Sequence, residues 1–172
     1  MSKGSWYVIQ VTTGAERRFC SLIELLSPPG AVEECFSPRY ATQIKKAGEW
    51  IDVQKPLLPG YVIVVSDRLD LVIRTLREIP DFTRLLKMGE SFVPLAAEER
   101  ARIEALSNNH NRCIDMSMGV IEHGRVVVQS GPLCGREAMI VSVNRHKNVA
   151  FVEFEICGRM VKTKVGLGIV NR

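Results

Sequence analysis

The residues best suited to chemistry in this 172-residue chain lie close together near its C-terminus. Asn144-Arg145-His146-Lys147-Asn148 places three basic side chains in a short turn between two β-rich runs, Met139 to Val143 and Val149 to Phe154. A turn held between strands is stiff, and a stiff turn with Arg, His and Lys can aim several donors at one ridge of phosphates. Arg159, Lys162 and Lys164 follow on the last strands, and the spacing of two puts Lys162 and Lys164 on one face. Arg136, in the preceding loop, completes the set. Such a set binds a polyanion, and an RNA helix recognised by its shape and backbone is the target it suits.

The charge distribution points the same way. Residues 1–119 hold 15 Lys and Arg against 15 Asp and Glu, whereas 120–172 hold 8 against 4, so the net charge of +4 belongs to the C-terminal part. A balanced front part and a cationic tail imply two jobs, with phosphate attraction assigned to the second. Catalysis is not expected: there is no nucleophile elbow, phosphate loop or metal-spaced His/Cys set, so no catalytic residue, cofactor or metal ligand is assigned. Five scattered cysteines without a Cys-x-x-Cys pair read as reduced thiols. No run approaches the roughly 18 apolar residues of a membrane span, and MSKGSWYVIQV lacks a secretory leader. The expectation is a cytoplasmic, monomeric protein with no membrane partner.

These residues must be carried by two kinds of module. WYVIQV (Trp6 to Val11) predicts a strand, ending at Thr12-Thr13-Gly14, where either threonine can cap the next helix. From Ala15 to Leu26 the apolar residues share one helical face, with Glu16, Arg17, Arg18 and Glu24 on the other. Pro28-Pro29-Gly30 stops that helix. Segments 31–38 and 39–46 read as strand or loop, with Ala47-Gly48 as a hairpin tip. Tyr61 to Val65 predicts a central strand, Arg68 to Ile79 a second helix, Phe82 to Met88 a further strand, and Pro94 to Leu106 a third helix. This is α+β patterning. The polar segment from Ser107 to Arg112 carries no periodicity and predicts a linker. Beyond it, Gly124 to Phe154 shows short β-branched runs punctuated by glycine and Gly-Pro, as in a small barrel.

WYVIQV followed by TTG and a helix, then a PGYV strand, then a C-terminal barrel containing GPLCG, together resemble the NusG family of transcription elongation factors over nearly the whole chain. The resemblance implies an N-terminal ferredoxin-like α/β sandwich (NGN, residues 1–107), a linker (108–118) and a small SH3-like β-barrel (KOW, 119–172). It implies an N-terminal domain that docks on RNA polymerase through an apolar patch of Leu58, Pro59 and Tyr61, with Trp6 and Tyr7 close by. Some family members read non-template DNA just before the proline after the second helix; here Glu78-Ile79 stands there, a poor match to DNA. Arg74, Arg77 and Arg84 remain as residues near a displaced strand. The basic barrel resembles most the specialised LoaP-like antiterminators, implying a nascent RNA hairpin as partner of Arg136, Arg145, His146, Lys147, Arg159, Lys162 and Lys164. The alternative is a general adaptor whose barrel loop recruits a small-subunit ribosomal protein or Rho at Leu133.

Overall fold

The computed structural model describes residues 4–80, 84, 85, 87, 88 and 91–170. In chain order its elements begin with β1 (Ser5–Gln10), α1 (Glu16–Leu26), β2 (Glu34–Phe36), β3 (Arg39–Lys46), β4 (Glu49–Pro56) and β5 (Tyr61–Ser66). Next come α2 (Leu69–Arg77), β6 (Arg84–Leu85), β7 (Lys87–Met88), β8 (Ser91–Phe92) and α3 (Ala97–Leu106). The remainder is β9 (Ser107–Asn108), β10 (Cys113–Ile114), β11 (Ser117–Glu122), β12 (Arg125–Ser130), a 3₁₀ turn at Glu137–Met139, β13 (Ile140–Asn144), β14 (Val149–Ile156) and β15 (Arg159–Ile169). Two compact units result, Met1–Ser37 with Leu58–Arg100, and Pro38–Leu57 with Ala101–Arg172.

In the first unit an antiparallel sheet of order β2-β5-β1-β6 meets α1 and α2 in a βαββαβ sequence, the ferredoxin-like arrangement. Tyr7 opposes Val64 and Ile9 opposes Val62, so these side chains share a face with Cys35 and pack with Phe19, Ile23, Val72 and Leu76 from the helices. Their neighbours Trp6, Val8, Ile63 and Val65 point to the other face, because side chains alternate along a strand. There the Trp6 and Phe36 rings meet edge to face at 5.2 Å, and the Arg100 guanidinium lies 4.9 Å from the Trp6 ring centre. Residues Val62 to Val65 are fully buried, which explains the unbroken apolar run of β5.

Two expectations about α1 are corrected. Ala15 is its N-cap and no side chain caps it, so neither Thr12 nor Thr13 does so. Glu16, expected on the solvent face, is buried, because its Oε1 accepts the Gly60 N–H at 2.8 Å. That bond, with Val11 N–H donating to the Gly60 carbonyl, ties the PGYV turn to the start of the helix. Gly60 has φ +83° and a Cβ there would come within 2.9 Å of Thr13 Oγ1, so only glycine fits. The expected strand from Phe82 to Met88 falls partly outside the described residues; 84, 85, 87 and 88 are in strand.

The second unit holds two sheets, β4-β3-β10-β9 and the five-stranded β12-β11-β15-β14-β13. The latter is the small β module expected at the C-terminus. Val128, Leu133, Ala150, Val152, Val165 and Leu167 form its interior, and Glu137 Oε1 accepts the Val128 N–H at 3.1 Å, tying the edge strand β12 to the 3₁₀ turn. Two findings were not anticipated. The segment read as a linker carries strand β10, whose Cys113 and Ile114 are buried and pair in parallel with Arg39 and Tyr40. The β3–β4 hairpin, between β2 and β5 in sequence, lies against β15: a Cβ on Gly166 would meet the Ala41 carbonyl oxygen at 2.0 Å, so backbone approaches backbone. The Thr163 hydroxyl donates to the Leu57 carbonyl at the same contact.

Candidate nucleic-acid interface

The basic turn is built rigidly. Asn144 Oδ1 accepts the Lys147 N–H at 3.1 Å, and Asn148 adopts φ +51°, a conformation asparagine tolerates better than most residues. The Asn148 carbonyl accepts from Leu167 N–H and from the Thr42 hydroxyl, both at 2.9 Å. The turn is thereby anchored to β15 on one side and β3 on the other. Its side chains stay exposed or half-buried at residues 145–148.

On the adjoining strands, Lys162 and Lys164 both stand over Phe151, with Nζ 5.3 and 5.6 Å from the ring centre. Each such contact contributes about 0.5–1 kcal/mol at an exposed site and steadies the ammonium without neutralising it. His146, Lys147 and Lys164 line one open groove together with Tyr40, Lys45, Trp50 and Lys55 of the β3–β4 hairpin. The remaining candidates lie elsewhere. Arg159 follows the far end of β14, whose eight residues span about 25 Å. Arg136 donates through Nη1 to the Pro132 carbonyl at 2.9 Å and lines a second, mostly apolar groove with Ala101, Arg102 and Met139.

Lys45, Trp50 and Lys55 were not among the residues the sequence singled out. The signal for the hairpin was the Ala47-Gly48 tip between two strand-like segments, but nothing local says which sheet that hairpin joins. Once it is counted with its own unit, the charge asymmetry sharpens: the unit of 38–57 and 101–172 holds 14 Lys and Arg against 8 Asp and Glu, a net of +6. The other unit holds 9 against 11, a net of −2.

The residues assigned to a polymerase contact divide by layer. Trp6 and Leu58 are buried, at 1% and 3% exposure, whereas Pro59 is exposed and Tyr61 and Tyr7 are half-buried. Tyr61 opposes Gln10 and so shares the Trp6 face, while Tyr7 packs on the helix side. Arg74, Arg77 and Glu78 are exposed on and just after α2, and Ile79 is buried; the Arg84 side chain lies outside the described residues. Leu133 is 1% exposed, with its N–H donated to Ser117 Oγ. Burying it contributes about 2 kcal/mol to the barrel.

Among the described residues no helix is long and apolar enough to cross a membrane. No group of three His, Cys, Asp or Glu among them could hold a metal ion. A sequence profile described as transcription termination factor nusG matches residues 4–104. The chain is 24% identical to the transcription termination/antitermination protein NusG of Rickettsia prowazekii (strain Madrid E), over 97% of this chain and 89% of that protein. It is likewise 24% identical to the NusG of Rickettsia felis, with the same coverage. A solved structure concerning domain interaction in Thermotoga maritima NusG superposes with a TM-score of 0.60 at 21% identity, covering 96% of this chain and 94% of that one. The two share their fold.

Proposed function

Since the matched profile spans more than half of it, the chain belongs to the NusG family of transcription termination factors, and from this premise we propose an antitermination role built on two contacts. The first unit binds RNA polymerase, and the second recruits the protein through a structured leader RNA. The observation that carries the RNA contact is the groove lined by Lys45, Lys55, His146, Lys147 and Lys164 within a unit of net charge +6. Several cations around one groove on a rigid frame favour a phosphate backbone, and the mechanism is binding, with no bond made or broken.

The polymerase contact is the PGYV turn: exposed Pro59 and half-buried Tyr61, next to buried Leu58 and braced through Gly60 by Glu16, with Trp6 buried on the Tyr61 face of the sheet and Tyr7 on the helix side. A rigid aromatic at a turn makes an interface anchor at little cost in side-chain order. Exposed Arg74 and Arg77 on α2 support a weaker approach to non-template DNA. This combination is the LoaP-like reading. Recruitment of a ribosomal protein or Rho through Leu133 has less support, because that side chain serves the barrel interior.

The test is an electrophoretic shift of the full-length protein with structured leader RNA across a salt titration. Reversing Arg145 and Lys147 to glutamate should weaken binding and reduce the slope of log K against log salt by about 0.7–0.9 per lost phosphate contact. Affinity that is indifferent to both salt and charge reversal would refute the RNA contact.

A further inference from the structure

We propose that the β3–β4 hairpin supplies half of the RNA site, with Trp50 as a platform on which one unpaired nucleobase stacks while Lys45, Lys55, Lys147 and Lys164 hold the flanking phosphates. The inference rests on the RNA reading above. It adds the class of nucleic acid: a stem with a single-stranded nucleotide beside it.

Trp50 is 46% exposed, whereas the only other tryptophan, Trp6, is 1% exposed. It sits two residues after the tight turn, directly opposite Lys45, whose Nζ lies 5.9 Å from its ring centre. Its half-exposed indole borders a groove lined by four lysines, so an aromatic face and several ammonium groups meet at one surface. A duplex offers phosphates but no free π-face. An acidic peptide would satisfy the lysines and leave the indole uncovered. An unpaired nucleotide presents both a phosphate and a base, which matches lysine and tryptophan together.

The frame is preorganised. The Thr42–Asn148 hydrogen bond and the close packing of Gly166 on Ala41 hold hairpin and basic turn in one piece, so little ordering is required on binding. The contact between Thr42 and Asn148 is 106 residues long in sequence, so the aromatic and the main cationic turn come together only through the fold.

Intrinsic fluorescence of the full-length protein reads the inference directly, because Trp50 is the exposed emitter. The probes are a stem-loop with a short single-stranded flank, the same stem blunt-ended, and polyglutamate. Expected is quenching by the flanked stem-loop, lost in Trp50→Phe/Trp6-only emission, and an affinity for that RNA about 5- to 100-fold lower in Trp50→Ala, with blunt-stem binding unchanged. RNA binding that depends on Lys147 but leaves Trp50 emission and the Trp50→Ala affinity untouched would overturn the platform and leave the RNA reading intact. Polyglutamate binding as tightly as the flanked RNA would also overturn it. Absence of any RNA binding at low salt would remove the RNA reading and the platform with it.

Discussion

Replacing Gly166 with alanine tests the packing on which the whole groove depends. The added Cβ would lie 2.0 Å from the Ala41 carbonyl oxygen, and real Cβ atoms essentially never come closer than 3.0 Å to a neighbour, so β3 must retreat by at least 1 Å. A retreat of that size stretches the 2.9 Å bond from the Thr42 hydroxyl to the Asn148 carbonyl beyond useful length. Overpacking of this kind costs about 1–3 kcal/mol, and the lost hydrogen bond adds about 1 kcal/mol, since Asn148 keeps its second donor in Leu167. The total of about 2–4 kcal/mol should lower the melting temperature of the second unit by roughly 8–30 °C, at about 4–8 °C per kcal/mol for a domain of that size. Urea unfolding followed by Trp50 fluorescence measures it, with Val141→Ala as a surface control, Val141 being 51% exposed. A Gly166→Ala protein within about 0.5 kcal/mol of the parent would show that β3 and β15 are not in backbone contact.

Three further outcomes are expected. Glu16→Ala should leave the buried Gly60 N–H unpaired at a cost of about 1–3 kcal/mol and weaken polymerase capture in a pull-down, as Tyr61→Ala should, with RNA shifts unaltered. Ala47→Asn, at φ +51° in the tip of the β3–β4 hairpin, should raise stability by about 0.5–1 kcal/mol in chemical denaturation, because asparagine accepts the left-handed region more readily. In maleimide labelling of the native protein, exposed Cys134 should react first; Cys35 and Cys113 should wait for unfolding. Hydrogen bonding with Cys20 and then burial push the Cys35 thiol far above its usual range, and burial raises Cys113.

What could be read from the sequence was local. The strand at Trp6 to Val11, the helices with one apolar face, the tip at Ala47-Gly48 and the β-branched runs of the C-terminal module all follow from periodicity and turn chemistry within a dozen residues. Glu16 could not be read that way: its burial depends on an amide 44 positions downstream. Trp6 and Tyr7 looked like one aromatic patch, yet strand alternation sends them to opposite faces. Cys113 and Ile114 form too short an apolar pair to register as a strand, and they are buried because β3 is there to receive them. The basic turn was legible as chemistry, whereas its partners Lys45, Trp50 and Lys55 were invisible until the hairpin had a place.

The excursion of residues 38–57 into a unit otherwise built from residues after 100 also bears on how the protein is made. On the ribosome the hairpin emerges while the strands that receive it are still untranslated; from Leu57 to Gly166 the delay is roughly 5–20 s at 5–20 residues per second. Trp50, Ile44 and Ile51 are exposed even in the finished fold, and Lys45, Lys46 and Lys55 on the same ribbon would supply repulsion against edge-to-edge association with other nascent chains during that interval. The same lysines would thus guard the polypeptide before they have anything to bind.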